Sequence, residues 1–260
     1  MAELIVRKEG SIGWIIFSNV ARHNAVTFDM WCAVPEAIKR FEADPEIRVI
    51  ALAGDGDKAF VSGADISEFE KKRGSVEASN EYNKASKAGP VSIMAATKPT
   101  VAVIRGICFG GGVGLAVACD MRIATDDSRF CVPAGRLGLG YEYAGVKRLM
   151  DTVGPAFAAE IFATARRYNA AEALQMGLVN HIRPPAEFQA FVDEYLGSIG
   201  QNAPMTVAAA LRAVDEGLKP ESDRNLMKVQ AMVDACFASD DYKEGRSAFM
   251  EKRKPAFKGR

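Results

Sequence analysis

Charge of one sign is the plainest thing this chain lacks. Its 33 lysine and arginine residues match its 33 aspartate and glutamate residues, so the composition offers no positive excess for nucleic acid or an anionic membrane. No uninterrupted apolar run reaches the ~18 residues a membrane span needs, and the N-terminus carries no apolar signal core. The expected location is therefore cytoplasmic, with no membrane or nucleic-acid partner. The five cysteines, Cys32, Cys108, Cys119, Cys131 and Cys236, show neither C-x-x-C nor histidine-paired spacing. An odd count without such spacing argues for reduced core thiols and against disulfides. There are two histidines, His23 and His181, and nothing beside them suggests a triad with serine or cysteine. A metal site is likewise unsupported.

What is present is ordinary in bulk: 260 residues, 48% hydrophobic and 25% charged, enough for a sizeable core. The informative stretch is Lys98 to Asp120, K-P-T-V-A-V-I-R-G-I-C-F-G-G-G-V-G-L-A-V-A-C-D. Val101 to Ile104 reads as a strand entered through Pro99, and Gly110 to Gly112 permit a turn that bulkier residues could not follow. From Val113 to Cys119 everything is small or apolar, so a helix there is buried, with its free N-terminal amides facing out of the turn. A second segment, Ala59 to Glu68 (A-F-V-S-G-A-D-I-S-E), is an apolar strand end that breaks at Gly63 and Ala64 and enters a helix at Asp65 or Ser67. Two such turns can aim two N–H groups at one oxygen.

These segments, with R-H-N-A-V-T near the start and the tail E-G-R-S-A-F-M-E-K-R-K-P-A-F, occur in the order and at the spacing of the crotonase, or enoyl-CoA hydratase/isomerase, superfamily. The chain resembles that family from about Ile5 to Lys258. The resemblance implies an α/β fold: a crotonase-type ββα spiral core with the acyl-CoA site over residues 1–200, then a helical trimerisation region over 201–260. Homotrimers or homohexamers are implied as well. It also implies that the amides of Ala64 and Gly111 form an oxyanion hole around a thioester carbonyl, with Asp65 and Ile66 in the same substrate-binding segment. Coenzyme A enters as part of the substrate, and no permanently bound cofactor is expected. Arg22 falls in the loop the family uses against the coenzyme A phosphates and adenine, and Lys252 matches its C-terminal phosphate lysine. Read without the family, Arg22 and His23 are a solvated turn and Lys252 to Lys254 a solvated end.

Along the rest of the chain, Ile12 to Phe17 and Arg48 to Ala53 read as strands, as do Asp120 to Ala124 and Leu178 to Ile182, and Thr27 caps a helix over Phe28 to Phe41. Pro35 is expected to kink or restart that helix. The polar run from Glu70 to Lys87 reads as a mobile surface segment over the site. Beyond about Asn202 only helical stripes remain, too apolar to stand free.

Enoyl-CoA hydratases of this family use two glutamates, which here fall on Gly114 and Ala134. Neither side chain moves a proton, which argues against straightforward hydration. The following loop, R-L-G-L-G-Y-E-Y-A-G-V-K-R-L, is polar for its surroundings. Glu142 falls where 4-chlorobenzoyl-CoA dehalogenases carry a nucleophilic aspartate and dienoyl-CoA isomerases an acid. Tyr141 falls on the tyrosine of the bacterial methylmalonyl-CoA decarboxylases, whose G-V-P-Y-N-L-V-G is similar to G-L-G-Y-E-Y-A-G here. Apolar walls around Glu142 would raise its pKa and suit a proton shuttle; alone it reads as a surface carboxylate paired with Lys147 or Arg148. One of Tyr141 and Tyr143 is expected in the core. Arg136 either holds an anionic acyl group or pairs with Glu142. Decarboxylase-like lyase chemistry at Tyr141 and Glu142 follows from this pattern. The alternatives are a hydratase or isomerase using Glu142 alone, and a non-catalytic acyl-CoA-binding subunit.

Overall fold

The structure is a computed structural model describing residues 2–68 and 75–260. Strands β1 (Glu3–Glu9), β2 (Ile12–Ser18), β3 (Val49–Gly54), β5 (Thr100–Ile104), β7 (Met121–Thr125) and β10 (His181–Arg183) form one sheet, in the order β1-β2-β3-β5-β7-β10. All neighbours are parallel except the antiparallel β1–β2 pair. A second sheet holds β4 (Ala59–Val61), β6 (Ile107–Phe109), β8 (Arg129–Cys131) and β9 (Tyr168–Asn169).

The central strands are apolar on both faces because both faces are covered. Alternation sends Ile50, Leu52, Ala102 and Ile104 toward helix α1 (Phe28–Ala43), where Val34, Ile38 and Phe41 complete the larger core. Val49, Ala51, Val101 and Val103 meet Phe188, Val192 and Leu196 instead, one stripe of α7 (Pro185–Gly200) at helical spacing. Each of those three side chains contributes about 1.5–3 kcal/mol by leaving water.

The chain passes from the large sheet to the small one three times, β3 to β4, β5 to β6 and β7 to β8, which is the expected spiral. At the second passage Gly106 has φ +61°, and a side chain on it would begin 2.1 Å from the Lys58 carbonyl. Because β4, β6 and β8 run parallel, their carboxyl ends lie side by side. They lead into Gly63 and Ala64, into Gly110 and α3 (Gly111–Ala118), and into α4 (Ala134–Leu137).

Several expectations are corrected. The polar run after Glu68 is a helix, α2 (Val76–Met94), from Val76 onward, with Tyr82 and Ile93 buried and Gly89 against Trp31. Its low amphipathicity hid it, and residues 69–74 lie outside the described residues. Helix α1 runs through Pro35 without restarting. The last strand begins at His181 rather than Leu178, whose backbone instead turns and accepts from Arg122. Strands β6, β8 and β9, two or three residues each, are too short to show a period. None of the five cysteines forms a disulfide, but Cys32 is exposed and Cys236 half-buried, so three are core thiols.

Helices α5 (Tyr143–Thr164) and α6 (Ala170–Gln175) follow α4. Beyond residue 201 the described chain is helical, with α8 (Pro204–Gly217), α9 (Leu226–Ala238) and α10 (Asp240–Glu251). No helix among the described residues is long and apolar enough to cross a membrane.

Candidate active site

Ala64 owes its orientation to a single bridge. Val26 N donates to Gly63 O at 2.8 Å and Asp65 N to Val26 O at 2.9 Å, so the N–H of the residue between them faces away from Val26. Gly63 takes φ +123° to enter this bridge. Opposite, Gly110 N donates to Cys131 O at 2.8 Å, tying the turn to β8, and Gly110 takes φ +52°. Gly111 is then the first residue of α3, where an N–H has no intrahelical partner. A methyl group built on Gly111 would lie 3.8 Å from Ala64 N. Among the described residues neither the Ala64 nor the Gly111 N–H donates a hydrogen bond.

Trp31 floors this corner: its Cζ2 lies 3.3 Å from the same Gly111 position. It is buried, and among the described residues its indole N–H has no partner. Gly114, on the next turn of α3, faces open space, since nothing lies within 4 Å of a Cβ built there. Ala134 is buried at the start of α4. Neither Gly114 nor Ala134 thus carries a side chain that could move a proton.

The Ala64 turn is pinned by a side-chain network in which Asn24 and Glu68 were not singled out from the sequence, while Asp65 and Arg22 were expected against the substrate. Asn24, buried and left-handed, accepts from Asn19 N and donates to Asp55 O and Ala59 O at 3.0 and 2.7 Å, holding the start of β4. Its signal was residue type, since asparagine tolerates positive φ better than most. Asp65 is buried beside it and accepts from Arg22 Nη1 at 2.7 Å, from Asn19 Nδ2, and from the Ser67 amide and hydroxyl. Glu68 reaches back to accept from Phe28 N at 2.8 Å at the start of α1, and Thr27 accepts from Met30 N as anticipated.

Burial pushes the Asp65 carboxyl up, but the Ser67 and Arg22 bonds outweigh it and hold the group below the ordinary carboxylate value. With the folded value below the unfolded one, this carboxylate contributes stability in full above about pH 4 and loses it as pH falls through the folded value. Asp65→Asn is expected to destabilise by about 1–3 kcal/mol near neutrality. The gap in melting temperature from wild type should shrink as pH falls below about 4, which calorimetry at several pH values checks.

The remaining expected residues are more scattered. Arg22 is spent on Asp65 and the Ser67 hydroxyl, so its charge is largely countered before any phosphate arrives. Ile66 is 71% exposed, on the rim. Arg136 lies exposed on α4, its charge felt by the Cys131 thiol, and it does not pair with Glu142. Glu142 is not enclosed by apolar walls: its side chain is 62% exposed at the N-cap of α5 and pairs with Lys87 of α2 at 2.7 Å. Lys147 and Arg148 are taken elsewhere, by Asp151 and by the carbonyls of Val117 and Ala118. Tyr141 packs edge-on against Phe162 at 5.0 Å, and burial pushes its phenol up, so it remains a neutral donor. Tyr143 is exposed and Tyr141 keeps 36% of its surface in solvent, so neither tyrosine is a core residue. Lys252 ends α10 with φ +54° and is exposed, while Arg253 beside it is bound by Glu244 and Glu251.

Residues 7–260 match the family described as enoyl-CoA hydratase/isomerase. A crotonyl-CoA hydratase of Syntrophomonas wolfei is 34% identical over 254 residues, spanning 98% of this chain and 97% of the relative. A carnitinyl-CoA dehydratase of Proteus mirabilis is 35% identical, spanning 96% of each. Among solved structures, an enoyl-CoA hydratase/carnithine racemase of Magnetospirillum magneticum superposes with a TM-score of 0.93 at 31% identity, covering 100% of this chain and 97% of its own. With the motifs, the spiral and these matches in agreement, the chain belongs to the enoyl-CoA hydratase/isomerase family.

Proposed function

We propose that this chain processes an acyl-CoA thioester through an enolate, which the amides of Ala64 and Gly111 stabilise, and that its chemistry is decarboxylase-like rather than two-glutamate hydration. The observation that carries this reading is the pair of adjacent unbonded N–H groups, set beside Gly114 and Ala134 where carboxylates are missing. Two fixed donors in a shielded site stabilise a developing oxyanion better than water does. Losing carbon dioxide from a malonyl-type thioester needs that stabilisation and a held carboxylate more than it needs a base. Tyr141, a neutral phenol, supplies a donor for such a carboxylate. Coenzyme A is part of the substrate in this reading, and Ile66 and Lys252 belong to its outer contacts.

A second reading makes Glu142 the single acid–base group of a hydratase or isomerase. The names of the hydratase and dehydratase relatives favour it, and so does the nature of the Lys87 pair. Both partners are more than half exposed, so the bond is worth about 0–1 kcal/mol and is readily exchanged for a substrate. Incubation with methylmalonyl-CoA, crotonyl-CoA and 3-enoyl-CoA separates the readings by carbon dioxide release and by absorbance of the conjugated enoyl group. Carbon dioxide release alone supports the first. Turnover of an enoyl-CoA that Glu142→Gln abolishes supports the second. Tight binding with no turnover across the panel makes the chain an acyl-CoA-binding subunit.

We also propose that the C-terminal helices assemble a homotrimer or homohexamer. They leave Met227, Phe237, Phe249 and Met250 more than 60% exposed, and Phe237 and Phe249 line an apolar groove of about 710 Å³. Light scattering should give three or six chain masses, and a monodisperse monomer would contradict the assembly.

A further inference from the structure

We propose that Arg122 and Arg148 are positioning residues that clamp the carboxyl end of α3, holding Gly111 at its other end in place and making that end more receptive to negative charge. This rests on the reading of Gly111 as a donor to the thioester oxygen. Helix α3 is eight residues long, about 12 Å, and carries no polar side chain. Its N-cap, Gly110, offers no capping side chain, and at the other end its own residues supply only the Cys119 N–H, to Ala116 O at 3.2 Å, and the Cys119 thiol, to Leu115 O at 3.5 Å.

The rest of the carboxyl end is satisfied from outside. Arg122 Nη1 donates to Ala116 O at 3.5 Å and Cys119 O at 2.7 Å, while its Nε donates to Leu178 O at 2.8 Å. Arg148 Nε donates to Val117 O at 2.7 Å and its Nη2 to Ala118 O at 3.4 Å. Every carbonyl from Leu115 to Cys119 is therefore accepting, four of them from two guanidiniums.

Arg122 is buried on β7, and among the described residues neither arginine forms an ion pair. The neighbouring acids are Asp120, which accepts from the Thr100 amide and hydroxyl, and Asp215, next to Arg148. What faces the two cations directly is the negative end of the helix. Placing cations there secures the helix and adds their field to the positive end at Gly111. Arg148 stands in the second turn of α5, so the same bonds also set Tyr141 and Glu142, at the start of that helix, relative to α3.

The test uses acetoacetyl-CoA, whose enolate is told from its keto form by near-ultraviolet absorbance, and butyryl-CoA, which carries no such charge. In wild type the enolate is expected to be enriched on binding. Arg148→Gln retains an N–H donor but removes the charge. Its bound enolate-to-keto ratio should fall about three- to tenfold, as for one partly countered charge about 12 Å away. Its butyryl-CoA affinity should stay within about twofold. Arg148→Lys, which keeps the charge and loses the fork, should restore the ratio. An unchanged ratio in Arg148→Gln, or an equal drop in Arg148→Lys, overturns the clamp. No bound enolate in wild type overturns instead the reading of Gly111 on which the clamp rests.

Discussion

Gly111→Pro is expected to lose about 10²–10³-fold in turnover while keeping its fold and most of its affinity for the coenzyme A portion of the substrate. Proline is suited to this test because Gly111 is the first residue of α3, a position that proline occupies without breaking a helix and where the missing N–H bonds nothing within the protein. The added ring meets Trp31, whose Cζ2 stands 3.3 Å from the new Cβ, a contact a few tenths of an ångström of adjustment relieves. Proline removes the donor and sets its Cδ where the N–H pointed, so both changes fall on the proposed oxyanion position. A variant with normal melting temperature, near-normal binding and lost turnover places the deficit in the transition state. Turnover within about threefold of wild type would mean that this amide does not face the reacting oxygen.

The second large effect sets two glycines of one helix against each other. A Cβ on Gly112 would begin 2.2 Å from the Val61 carbonyl and 3.0 Å from its Cβ, both in the buried strand β4. Those atoms have no free end to swing aside, so α3 must retreat from β4. Gly112→Ala is expected to destabilise by about 1–3 kcal/mol or more, and to open the distance between Gly111 and Ala64. On Gly114 the same methyl meets nothing within 4 Å. Gly114→Ala gains helix propensity with no clash and is expected to stabilise by up to about 1 kcal/mol. Thermal unfolding of the two variants should therefore move in opposite directions, although both make the same chemical change in the same helix.

The sequence made the two turns legible because both depend on local chemistry. Glycines cluster where backbones approach or take positive φ, and the apolar run after Gly112 could only be a buried helix. Thr27 and the apolar stripe of α1 were readable for the same reason. The polar neighbourhood of the site was not. Arg22 finds Asp65, and Glu142 finds Lys87, across long stretches of chain. No spacing rule pairs such groups, and the guesses nearest in sequence, Lys147 and Arg148, were already committed to Asp151 and to the end of α3. Helix α2 was hidden because most of it faces outward, with only Tyr82, Gly89 and Ile93 buried. The short strands of the small sheet are set by pairing with one another rather than by their own residues. Gly114 and Ala134 were legible because their side chains carry no acid, and the structure shows open space at the first and burial at the second.

The most direct measurement is a crystal structure with butyryl-CoA bound. The thioester oxygen should lie about 2.7–3.1 Å from both Ala64 N and Gly111 N. A thioester oxygen bound by neither nitrogen, with the acyl chain seated elsewhere, would contradict the account at its root.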